Sequence, residues 1–221
     1  MTSATTLIIT DALAPPFEAA RAHLAAADAV MGRLCRHLAP LEAASSEDIY
    51  YDLLSCIIDQ QIHYRSGGRW FNRFLAVFEG GYPHPHLVVR LEATALGSLK
   101  LPEAKLAACR QLAEAALVQD WQSWAWQHEP DEAIAERLAA LKGIGPWTVQ
   151  TVLLFTCRRP DILPPADYQL GKYLPLLYGL PPGATLPDKI TQAWRPHRSL
   201  ACRYVWAFAK LPARQQQALL S

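Results

Sequence analysis

The chain has 221 residues, a formal net charge of +1 and a 51% share of hydrophobic residues. That length can form one large domain or two small lobes with a core that needs neither disulfides nor a metal. The near-neutral balance excludes a globally basic nucleic-acid binder, so a polyanionic partner must be met by locally gathered charge.

Five cysteines lie far apart at 35, 56, 109, 157 and 202 with no CxxC pair, which supports neither a zinc knuckle nor an iron–sulfur cluster. They read as reduced core residues of a cytosolic protein. The N-terminus shows no basic start followed by an apolar core, and no apolar stretch approaches the ~20 residues of a membrane span. A soluble, cytoplasmic protein without a membrane partner is expected. Seven Trp is many for this length. Because a buried indole N–H needs a partner, some of these rings are expected to line a binding surface and the rest to fill the core.

Residues 1–15 read as a loose leader, and helical patterning begins at Pro16. Phe17–Ala27 is Ala-rich, and Asp28 can cap a helix over Ala29–His37. Ser45-Ser46-Glu47-Asp48 supplies a cap and acids for a helix over Ile49–Asp59, whose Leu53, Leu54, Ile57 and Ile58 share one face. After Gln60-Gln61 a helix carries Trp70, Phe71, Phe74, Val77 and Phe78, and ends at Gly80-Gly81. Short and longer helices follow over Leu87–Glu92 and Pro102–Val118. Pro130-Asp131-Glu132 opens another that runs to Ala140, and Pro146–Cys157 comes next. The Pro-rich loop Arg159–Pro165 leads to a helix over Ala166–Tyr178. Asp188–Trp194 and Arg198–Lys210 close the chain, with a frayed tail from Gln215. No segment sustains period-2 alternation, so the expected fold class is all-α.

The most specific run is Leu141-Lys142-Gly143-Ile144-Gly145-Pro146-Trp147-Thr148. Two glycines one residue apart between helices predict a hairpin too tight for side chains. Its backbone N–H groups and the start of the helix at Pro146 would point at one spot, an anion site suited to a phosphate. Gly-x-Gly alone fits a plain glycine-capped turn equally well. Arg195, His197, Arg198 and Arg203 gather positive charge with no acid among them, and by themselves fit a solvated basic face as well as a phosphate track.

Leu141–Thr148 resembles the helix-hairpin-helix of base-excision DNA glycosylases. Leu163-Pro164-Pro165-Ala166-Asp167-Tyr168 is similar to the Gly/Pro-rich loop that ends in their catalytic aspartate. Ile57-Ile58-Asp59-Gln60-Gln61-Ile62 and Trp194-Arg195-Pro196-His197-Arg198-Ser199 resemble segments of the AlkA-like 3-methyladenine branch, and Leu96–Lys105 is a weaker match. Four motifs in order over residues 20–210 are far more specific than any one. The extra N-terminal β domain of some relatives has no counterpart here, so the compact helical form fits best.

The resemblance implies a two-lobed fold with the active site in the cleft between the lobes. Residues 1–40 and 160–221 would form one lobe, and 41–159 the other, with the hairpin at 132–157. It implies a base-flipping hydrolase of duplex DNA that excises 3-methyladenine, 7-methylguanine and related alkylated bases. Asp167 would be the catalytic acid, although a lone Asp there is usually only a helix-start residue. Trp147 and Trp206 match positions that hold the flipped base, where an indole face attracts a cationic alkylpurine by roughly 0.5–2 kcal/mol. Trp206 also fits ordinary core. Tyr168 fits a pocket wall or a loop anchor. Gln61 fits an intercalating residue or a helix-end cap.

Lys142, Gly143, Gly145, Thr148, Arg195 and Arg198 would contact phosphates. The resemblance also provides for a structural Na+ or K+ on the Leu141 and Ile144 carbonyls, with no other cofactor. Bifunctional relatives carry a lysine nucleophile where this chain has Trp147, so a monofunctional, monomeric enzyme without lyase activity is implied. The alternatives are a non-catalytic helix-hairpin-helix DNA-binding module and a glycosylase for deaminated bases. Asp59 and His63 depart from the usual small residue and Ser, and an acid at 59 would need Arg65 or Arg69 to neutralise it. Thr151 replaces an aromatic found in some relatives, which should widen the pocket toward bulky etheno adducts. Thr151→Tyr is therefore expected to lower etheno-adduct excision relative to 3-methyladenine excision; an unchanged ratio would remove the widening argument.

Overall fold

Every regular element among the described residues is helical, as the missing period-2 pattern predicts. The structure, a computed structural model, describes residues 15–40, 46–59, 69–91, 101–119, 121 and 124–220. In chain order the helices are α1 (Pro15–Ala27), α2 (Ala29–His37), α3 (Ile49–Asp59), α4 (Arg69–Leu75), α5 (Pro85–Val89) and α6 (Glu103–Val118). Then come α7 (Asp131–Ala139), α8 (Pro146–Phe155), α9 (Tyr168–Leu177), α10 (Asp188–Ala193), α11 (Arg198–Ala209) and α12 (Ala213–Leu220). None is long and apolar enough to cross a membrane. The chain divides into two compact units, Met1–Glu42 with Pro160–Ser221, and Ala43–Arg159.

In the first unit α11 is the spine. Its residues from Ser199 to Cys202, and Tyr204, Val205, Trp206 and Phe208, are buried. It packs against α1, α2 and α9. A helix covered on so many sides has to be apolar nearly all round, which this one is. Asp28 joins two helices through one side chain. Its Oδ1 accepts from the Met31 N–H at 2.9 Å and caps α2, as the sequence predicts. Its Oδ2 accepts from the Tyr178 hydroxyl at 2.8 Å, just past the end of α9. Burial and the nearby Asp28 charge push the Tyr178 phenol far up, so it stays a donor.

The chain end differs from expectation. Instead of fraying from Gln215, residues Ala213–Leu220 form α12. The Gln216 amide nitrogen reaches the carbonyls of Phe208, Ala209 and Leu211 at 3.1–3.3 Å and thereby satisfies acceptors left at the end of α11.

The second unit is built on α3, whose Leu53, Leu54, Ile57 and Ile58 are buried as the periodicity predicts. It packs against α4, α6 and α8. α6 presents Leu106, Cys109, Leu112, Ala113 and Ala116, and α8 presents Val149, Val152 and Leu153. Lys105 on α6 donates to the Ile58 carbonyl at 2.5 Å, a cation where the α3 dipole is negative. All five cysteines are free. Burial pushes the Cys109 and Cys157 thiols up to about 12, as expected of inert core residues.

Asp28→Ala removes a helix cap and leaves a part-buried hydroxyl without its acceptor. It should lower the unfolding free energy by about 2–3 kcal/mol, and Tyr178→Phe by about 1 kcal/mol, in urea titrations.

Candidate functional site

Asp167 is delivered by the loop 160–166 and is only 7% exposed. It stands at the cap of α9, one position before the helix, rather than inside the first turn. Prolines at 164 and 165 restrict the loop's backbone, and the Asp167 N–H turns back onto the Pro164 carbonyl at 3.2 Å. Two donors converge on one carboxyl oxygen. Oδ1 accepts from the Leu170 N–H at 2.8 Å and from the Trp206 indole N–H at 3.0 Å. A cap bond fixes the carboxyl against its own helix, and the indole bond fixes it against α11. The side chain therefore has a set direction before any substrate arrives.

Trp206 was expected to hold a base or to be plain core. It is 9% exposed, and its indole edge is committed to Asp167. The clue in the sequence is register. Arg198, Cys202 and Trp206 lie at i, i+4 and i+8 on one face of α11. All three meet the same loop, through Asp161, the Ile162 carbonyl (3.8 Å from Cys202 Sγ) and Asp167. Tyr168 is 74% exposed, so the loop-anchor reading is corrected: an anchor would be packed.

The hairpin in the second unit joins α7 to α8. The Ile144 N–H donates to the Leu141 carbonyl at 3.1 Å and closes the turn. Gly143 has φ +86°, which disfavours any residue with a Cβ. Gly145 has φ −90°, and a Cβ there would meet nothing within 4 Å. The expectation that both glycines avoid a clash is thus corrected. Gly143 serves the turn, and Gly145 leaves bare backbone beside open space at the start of α8. Lys142 is exposed and Trp147 half-buried. Thr148 is fully buried, so its place among the phosphate contacts is also corrected. Thr151 points its hydroxyl back to the Trp147 carbonyl at 2.8 Å, spending it on the helix itself.

The basic run changes most. It lacks an acid in sequence, yet Asp161 supplies one in space. Arg198 binds the Asp161 carboxylate through Nε (2.7 Å) and Nη2 (3.0 Å), and Arg195 binds it through Nε at 2.9 Å. Burial alone would raise the Asp161 carboxyl, but the hydrogen bonds from Arg198 and Arg195 outweigh it and hold it below the usual range. His197 is lowered by burial and by His23, whose ring meets it edge-on at 5.2 Å. Gln61, His63 and Arg65, and the side chains of Asp59 and Arg69, lie outside the described residues.

A cavity of about 490 Å³ in the second unit is lined by Tyr50, Tyr82, Trp121, Trp124 and Trp126, with Glu47 and Asp48. None of the residues predicted for the site lines it. The described residues contain no cluster of three or more His, Cys, Asp or Glu able to hold a metal.

No family model matches the chain. It is 26% identical over 201 residues to DNA-3-methyladenine glycosylase 1 of Schizosaccharomyces pombe, covering 87% of each protein. It is 30% identical over 170 residues to the Bacillus subtilis protein YfjP, named as a DNA-3-methyladenine glycosylase, covering 72% of this chain and 58% of that one. The S. pombe 3-methyladenine DNA glycosylase Mag1, solved in complex with abasic DNA, superposes with a TM-score of 0.74 at 25% identity, covering 87% of this chain and 97% of that one. The chain is thus a homologue of the DNA-3-methyladenine glycosylases and carries their all-helical fold.

Proposed function

We propose that the protein is a DNA-repair glycosylase that hydrolyses the N-glycosidic bond of alkylated bases, 3-methyladenine among them, in double-stranded DNA. The observation that carries this reading is the held carboxyl of Asp167, in a chain whose homologues bear that activity in their names.

The chemistry follows from what the residues can do. As the bond from C1′ to the base breaks, the sugar gains positive charge, and a fixed carboxylate nearby stabilises it. Asp167 is the group for this, either by charge or by orienting the attacking water. The water oxygen bonds to C1′ and gives up a proton to the carboxylate or to solvent, the cationic base leaves as a neutral molecule with the bond's electron pair, and an abasic sugar remains. A carboxyl that would otherwise rotate away is held by Leu170 and Trp206, so little reorganisation is needed when charge develops.

The finer assignments belong to the same proposal. Trp147 offers an indole face to an extruded, cationic base, and as a tryptophan it cannot form the Schiff base of a lyase. This supports a monofunctional enzyme. The proposed range includes 7-methylguanine, and Thr151, smaller than an aromatic, supports extending it to etheno adducts. Gln61 is the intercalating candidate. Lys142 and the bare backbone at Gly143 and Gly145 are suited to a phosphate. A monovalent cation on the Leu141 and Ile144 carbonyls belongs to the same proposal, since the Leu141 carbonyl accepts from the Ile144 N–H and keeps a second lone pair. A cytoplasmic monomer is the form proposed.

The test is base release from methylated duplex DNA, followed by alkaline cleavage of abasic sites. Wild type should release 3-methyladenine and leave the abasic strand uncut before alkali. Asp167→Asn should lose about 100-fold or more in single-turnover rate while still binding DNA. Trp206→Phe, which keeps a ring but removes the N–H, should lose about 10-fold or more at unchanged binding. Full activity in Asp167→Asn would sink the mechanism.

A further inference from the structure

Arg198 does more with Asp161 than form an ion pair. Besides the two bonds to the carboxylate, its Nη2 donates to the Asp161 backbone carbonyl at 2.8 Å. One guanidinium thus grips both the side chain and the main chain of a residue six positions before Asp167. The neighbouring residues of helix and loop add to the grip. The Ser199 N–H donates to the Pro160 carbonyl at 3.0 Å, and the Ile162 N–H donates to the Ser199 hydroxyl at 2.9 Å. The Arg198 side chain is only 18% exposed and Asp161 only 25%, while Arg195 stays half-exposed at 51%.

The loop is therefore fastened to α11 at two heights. Its start is held at Arg198 and Ser199, and its end at Trp206. Eight residues of helix separate the two, about 12 Å at 1.5 Å per residue. Six residues of loop run from Asp161 to Asp167, which could reach about 20 Å if fully extended. The turn at Pro164 takes up the slack. With both ends pinned to one rigid helix and two prolines between, the first pin limits how far the loop that leads into Asp167 can shift.

We infer that Arg198 and Asp161 form a clasp that positions Asp167, and that Arg198 is a positioning residue rather than a phosphate contact. The fork geometry matters here: a lysine would keep the charge but, with one nitrogen, could not repeat the paired Nε and Nη2 bonds to the two carboxylate oxygens. A phosphate, in contrast, accepts a lysine as a point charge with modest loss. The inference rests on Asp167 being the reacting acid, and the experiment separates the two.

Arg198→Lys, Asp161→Asn and the double variant would be compared with wild type on methylated duplex DNA. Folding is checked by circular dichroism. Under the clasp, each single variant lowers the saturating single-turnover rate about 10- to 100-fold. The double variant loses no more than the worse single one, because the two changes break one shared interaction. Binding affinity and its salt slope stay unchanged, and amide exchange quickens at Ile162 and through residues 163–167 but not in α2. If Arg198 instead contacts phosphate, Arg198→Lys retains the rate at saturation, Asp161→Asn tightens binding, and exchange in the loop is unaltered. That pattern overturns the clasp. Should wild type release no base, the glycosylase reading fails, and the exchange comparison alone still decides whether the clasp holds the loop.

Discussion

The hydrogen bond from the Trp206 indole to Asp167 joins the start of one helix to the last turn of another, 39 residues apart in sequence. Much of the first unit exists to make that bond possible. α11 must be rigid and buried to hold the indole still, which explains why it is apolar on nearly every side. α9 must begin just after Asp167, so that the same oxygen can also cap the helix. Polar groups this well covered are stable only when paired, and here the pairing itself gives the carboxyl its direction. Under the proposed glycosylase reading, a carboxyl held this way needs no rearrangement when substrate binds.

Local signals carried the helices because each depends on residues within one turn. Asp28, Pro146 and the apolar face of α3 announce themselves within a few positions, and the structure uses them as read. The hairpin was legible as a turn, but the two glycines were not separable. Only the backbone angles show that Gly143 needs its conformation and Gly145 does not. The C-terminal tail was misread because Gln216 fastens its helix to carbonyls at and just past the end of α11. Thr148 was misread because a polar residue beside a phosphate motif can still be fully buried.

The basic run shows a deeper limit. Charge counted along a sequence says nothing about an acid that folds back from 37 residues away. Arg195 and Arg198 looked unpaired because Asp161 is far from them in the chain. What was available was helical register: residues 198, 202 and 206 share a face, and the loop that ends in Asp167 lies along it. Spacing of four on a helix beside a Pro-rich loop is a signal, although it could not name the partners without coordinates.

That pairing bears on how so neutral a chain would meet DNA. With a net charge of +1 and two of its arginines bound to Asp161, little side-chain charge is left to the first unit's basic run. The hairpin requires no net charge to attract a phosphate. Its exposed Lys142 and bare backbone precede a helix start, where the dipole already favours an anion. No side chain caps the start of α8, and its main-chain dipoles add nothing to the formal charge. The proposed division follows: main-chain dipoles at Gly143 and Gly145 meet DNA, while the Arg198 charge is directed to Asp161 and the placing of Asp167.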